Sequence, residues 1–197
     1  MNERNDLTFK ESKILNGMVI ILVMTLIYSA VPEWQVERFI FNVAVATVLT
    51  IIIFYTWQKT AYKKRHFSIL SYCFILHTAI CTAQPIIVHF WSEESPVWVY
   101  LTVVWIAGFV ITHSMKEGLF QAFSNAHENR FSIYFHLFLS ICLYASPIFV
   151  MISGLREVDQ AIAFGSLSYL FSIIAQITLP AFLKHPRDIK EDSLSQT

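Results

Sequence analysis

The chain has 197 residues, of which 55% are apolar, 15% aromatic and only 14% charged, against roughly 25% charged in an average soluble domain. Fourteen basic residues balance fourteen acidic ones, so there is no basic excess for a phosphate backbone and no acidic tract for a basic partner. These figures exclude an ordinary cytoplasmic globular protein and argue against nucleic-acid binding.

A tail over residues 1–13 with Arg4, Lys10 and Lys13 leads into the first uncharged apolar run, Ile14 to Ala30. A cleaved signal peptide is disfavoured there. Cleavage after Ala30 or Ser29 needs a small residue where Tyr28 or Ile27 stands, and Glu3 and Asp6 dilute the basic lead. After a short segment with Glu33, Glu37 and Arg38, the second run extends from Phe39 to Trp57. The cluster Lys59, Lys63, Lys64 and Arg65 precedes the third run, Phe67 to Trp91.

This third run holds most of the polar groups that lipid penalises. Cys73, His77, Cys81 and Gln84 fall on one helical stripe, and Thr78, Thr82, Pro85 and His89 on the next. Such a helix belongs at the centre of a bundle, its polar side turned from lipid. Pro85 removes one backbone hydrogen bond and frees a carbonyl near Cys81.

The fourth run, Val97 to His113, includes Trp105 and Gly108, which are placed to shape a pocket or a helix crossing. A loop from Ser114 to Arg130 separates it from the fifth run, Phe131 to Ser153, which holds His136, Ser140 and Cys142. The sixth run extends from Gln160 to Leu183, and the tail 184–197 follows. In the sixth run Ala161, Gly165, Ser168, Ser172 and Ala175 form a small-residue seam that lets another helix approach closely. That helix is expected within the bundle, with a second protomer or a foreign helix as the sharper alternative. Phe164, Leu167 and Phe171 form the opposite, lipid-suited face.

Every Asp, Glu, Lys and Arg lies outside the six runs. A hydrocarbon core about 30 Å thick needs about 20 residues of helix, and each run is long enough to qualify as a span. The continuous runs lack the polar alternation of barrel strands. The predicted fold is an all-α polytopic membrane protein of six transmembrane helices, with one membrane domain over 14–183. Twelve of the fourteen basic residues fall on the side of both termini, against Arg38 and Arg156 opposite. Both termini are therefore expected in the cytoplasm, with the chain in the cell inner membrane. Trp34, Trp91 and Trp98 at the outer boundary and Trp57 at the inner one fit the headgroup level.

No cofactor or metal is expected. At 1.5 Å per residue, His77 and His136 differ in depth by roughly 7 Å, too much for a bis-histidine haem. Cys73, Cys81 and Cys142 fall inside runs and read as small apolar residues. A Cys73–His77–Cys81 nucleophile dyad has no oxyanion donor or water access in its surroundings, and other catalytic signatures are missing. No enzyme is expected.

Two functions survive. The first is a binding protein, an accessory or immunity-type subunit or a sensor of an apolar small molecule, whose partner is another membrane-inserted protein or that molecule. Cys73, His77, Cys81, Gln84, Trp105, His136 and Gln176 are its candidate binding residues. The second is a small channel or uncoupled carrier for a neutral solute, lined by the polar members of that set with Ser140. The runs contain no acidic or basic residue to carry or counter a charge, which favours binding over transport. A homo-oligomer remains open.

Overall fold

The computed structural model describes residues 8–30, 34–59, 63–124 and 157–183, and every regular element among them is helical. In chain order these are α1 (Ile14–Ala30), α2 (Val36–Lys59), α3 (Lys63–Ser92), α4 (Val97–Ser114), α5 (Lys116–Ser124) and α6 (Glu157–Thr178), with a 3-10 turn over Leu179–Leu183. The fifth run, with His136, Ser140 and Cys142, and the tail 184–197 lie outside the described residues. Four stretches, Val36–Lys59, Arg65–Ser92, Val97–Ser114 and Ala161–Leu183, are long and apolar enough to cross a membrane, and α1 is a shorter apolar helix.

Local chemistry sets the helix ends. Before α1, Thr8 and Glu11 cap one another: the Thr8 amide donates to Glu11 Oε2 at 3.1 Å and the Glu11 amide to Thr8 Oγ1 at 3.4 Å. Lys13 then takes a left-handed φ of 53°, and α1 begins at Ile14. The α2 sequence is rich in Val, Ile and Thr, which elsewhere favour strands. An apolar medium offers no other partner for its amides, so the helix wins. α3 runs unbroken through Pro85 and closes at Glu94, which has φ 53°. There the Ser95 amide reaches Phe90 O at 3.0 Å and the Glu94 amide reaches Trp91 O at 2.9 Å, the paired bonds of a Schellman end. Pro96, with φ −64°, then stands as the N-cap of α4.

Several boundaries differ from the sequence expectation: α3 begins at Lys63 rather than Phe67 and so takes in Lys63, Lys64 and Arg65, and α6 begins at Glu157 rather than Gln160. α2 starts at Val36, three residues before the second run, and so takes in Arg38, which the charge pattern assigns to a loop. The loop from Ser114 contains the helix α5, which packs against α4.

The chain divides into two compact units, residues 1–78 with 182–197, and residues 79–181; the division falls inside α3. In the first unit α1 packs against α2, and Ile14, Ile21, Leu49, Ile53 and Cys73 form its buried apolar cluster. The pair is antiparallel: Ser29 late in α1 meets Asn42 early in α2, while Phe9, before α1, stacks edge-on against Trp57 near the end of α2, 5.6 Å between ring centres. In the second unit α4 packs against α6.

Candidate functional site

In the first unit a chain of buried polar groups joins three helices. His77, in α3, places Nε2 3.0 Å from Thr25 Oγ1 and 3.2 Å from Ile21 O, both in α1. A carbonyl only accepts, so the Nε2–H tautomer fits: one shared N–H is donated to Ile21 O and to the Thr25 hydroxyl. One turn on, Ser29 Oγ donates to Thr25 O at 2.7 Å and accepts from Asn42 Nδ2 of α2 at 3.2 Å. Thr25, Ser29, Asn42 and His77 are all 0% exposed. Arg38, one turn before Asn42, is buried as well.

Of this chain the sequence pattern singles out only His77. Thr25, Ser29 and Asn42 lie among other scattered polar residues of their runs, such as Asn16, Thr47 and Thr50, where a Ser or Thr commonly bonds to its own helix. The recoverable signal is spacing. The buried residues of α1 are Ile14, Ile21, Thr25 and Ser29, and those of α2 are Arg38, Asn42, Leu49 and Ile53, each set on one helical stripe.

The second unit has its own polar ladder. Trp105 Nε1 of α4 donates to Ser172 Oγ of α6 at 2.6 Å, and Ser172 Oγ donates to Ala79 O of α3 at 2.5 Å. Gln176 Nε2 donates to Trp105 O at 3.1 Å, and the Tyr169 hydroxyl to Leu101 O at 2.6 Å. The other end of the Gln176 amide lies over Gly108: a Cβ built on that glycine would stand 2.9 Å from Gln176 Oε1. Trp105, Gly108, Ser172 and Gln176 thus meet in one place.

The small-residue seam is occupied from within this unit. Gly165, Ser168 and Ser172 are buried, while Ala161 and Ala175 are half-buried. A Cβ on Gly165 would lie 3.0 Å from Ile86 Cβ and 3.1 Å from Ile86 Cα and N, so any side chain there would push α3 back by a few tenths of an ångström. Cys73 and Cys81 are buried thiols, and Gln84 is half-buried. His136, the remaining candidate, lies outside the described residues.

A groove also opens in the first unit, about 520 Å³ in volume, between one face of α1, the facing residues of α3 and Phe182. Lys13 and Asn16 stand at one end of it, and Ile20, Ile21, Phe74 and Ile75 line its length. Its base is close because Gly17 carries no side chain: a Cβ there would lie 3.1 Å from Leu70 Cδ1. Two carbonyls of the final turn are held beside it, Leu183 O by Arg65 Nη1 at 2.7 Å and Phe182 O by the Ser68 hydroxyl.

Chemically, both polar networks join helices. Among the described residues no group of three or more His, Cys, Asp or Glu side chains could hold a metal ion. Apolar residues are exposed on α1, α2 and α4 alike, but of these three only α4 buries no residue, and its Tyr100, Val103, Val104, Ile106, Val110 and Ile111 are each more than half exposed. No protein-family model matches the chain, and no curated protein and no solved structure matches it either.

Proposed function

We propose that the protein is a six-span integral protein of the cell inner membrane, with both termini cytoplasmic, that acts by binding another membrane-inserted protein as an accessory or immunity-type subunit. The basic residues beside the runs support this orientation. One observation carries the binding reading: the seam of α6 and the indole of Trp105 are engaged inside their own unit, while α4 turns a broad apolar arc outward. Association in lipid draws on side-chain packing rather than water release, and a Val- and Ile-rich helix face can supply it. The interlocked polar chains also weigh against the alternative, a channel or uncoupled carrier, because groups bonded to one another are poor lining for a solute path.

The test is purification of the tagged full chain from native membranes in mild detergent, with mass spectrometry of what accompanies it. A stoichiometric membrane protein is expected, lost in the double variant Val103→Trp and Val110→Trp while the melting temperature holds. A bare bundle that conducts a neutral solute in proteoliposomes would replace binding with transport.

A further inference from the structure

We propose that the groove between α1 and α3 holds an acyl chain of an anionic phospholipid, with the lipid phosphate at Lys13. The groove is two-natured. Its length is mostly apolar, formed by Ile20, Ile21, Leu70, Phe74, Ile75 and Phe182 with Ser71 among them, whereas one end presents Lys13 and Asn16. Lys13 is exposed and makes no ion pair among the described residues, and the Asn16 side chain makes no hydrogen bond there. An ammonium and a neutral amide donor beside an apolar channel match a phosphate ester joined to a hydrocarbon tail.

Position and size agree with that occupant. Lys13 directly precedes the uncharged helix α1, so it stands where the apolar part of the chain begins. From Lys13 to Ile21 the groove follows α1 for about 12 Å at 1.5 Å per residue. Its volume of about 520 Å³ lies within the range of roughly 300 to 1,000 Å³ typical of ligand pockets. Gly17 deepens it by letting the α1 backbone settle on Leu70. A zwitterionic lipid could place the same tail but would bring no net charge to Lys13. A basic residue near an anionic lipid surface contributes about 1 kcal/mol, which converts to about fivefold in affinity. This site is separate from the α4 surface, so its failure would leave the binding reading untouched.

The experiment uses the purified full chain offered equal amounts of phosphatidylglycerol and phosphatidylcholine in detergent, with retained lipid counted by native mass spectrometry. One phosphatidylglycerol is expected, favoured about fivefold over phosphatidylcholine. Lys13→Glu should abolish the preference, while Lys10→Glu, the same charge change outside the groove lining, should keep it. Ile20→Trp, at a position 47% exposed, should fill the groove and remove both lipids without lowering the melting temperature. Equal retention of the two lipids by the unmodified chain would overturn the proposal. So would equal losses from Lys10→Glu and Lys13→Glu, or undiminished lipid on a folded Ile20→Trp protein.

Discussion

α1 and α4 are near twins in sequence terms, uncharged helices of 17 and 18 residues, yet they are held differently. α1 buries a stripe of four residues, and its Thr25 and Ser29 are partners for His77 and Asn42 on other helices. α4 buries none. Its Thr102, Thr112 and Ser114 hydroxyls turn back to carbonyls of their own helix, at 2.8, 3.0 and 2.9 Å. The same residue types serve both helices, and what separates them is whether a neighbouring helix pairs with these hydroxyls: α6 bonds α4 instead through the Trp105 indole and the Leu101 and Trp105 carbonyls. A hydroxyl that satisfies itself leaves its helix face suited to lipid or to another protein, whereas one that serves as acceptor for a neighbour commits that face to the interior.

Substitutions can break this contrast, beginning where packing is closest. Gly165→Leu drives a side chain into the Ile86 backbone and should cost about 3 kcal/mol or more, seen as loss of folded protein on size exclusion. Next comes His77→Ala, which takes the imidazole away from the buried Thr25 hydroxyl, removes the second donor to Ile21 O and opens a small void. About 2 kcal/mol is expected, read from unfolding in detergent. Asn42→Ala should cost about 1 kcal/mol.

A smaller effect tests α4 on its covered side. Gly108→Ala sets a methyl against Gln176 Oε1, the end of a side chain that can shift, so about 1 kcal/mol is expected. A double-mutant cycle sharpens the point: in a Gln176→Ala background the same change should cost little, because the obstructing atom is gone. A full penalty in that background would place the crowding elsewhere. The smallest effect belongs to the outer arc, where Val103→Ala should move stability by less than about 0.5 kcal/mol.

Much of the architecture can be read from charge alone. α1 spans Ile14 to Ala30, the limits of the first run, because Lys13 marks one end and Pro32 and Glu33 in the sequence mark the other. Arg38 misleads for the same reason: a charge reads as a loop marker, whereas α2 begins earlier and buries it. In α3 the stripe through Cys73, His77 and Cys81 is visible because several polar residues repeat at helical spacing. Thr25, Ser29 and Asn42 are not, since other polar residues such as Asn16, Thr47 and Thr50 are scattered through the same runs and the role of each of the three depends on a partner 13 or 52 positions away. The Gly17 and Leu70 approach that forms the groove floor is likewise a product of tertiary packing.

The proposed function puts another protein against the outward arc of α4, and the exposed apolar face of α2 serves as the comparison. A photoreactive amino acid placed at Val103 or Val110 of α4, and for comparison at Ile51 of α2, which is 62% exposed, tests it in native membranes. One discrete protein adduct is expected from both α4 positions, and only lipid adducts from Ile51. Lipid adducts alone from all three positions would contradict the proposed function.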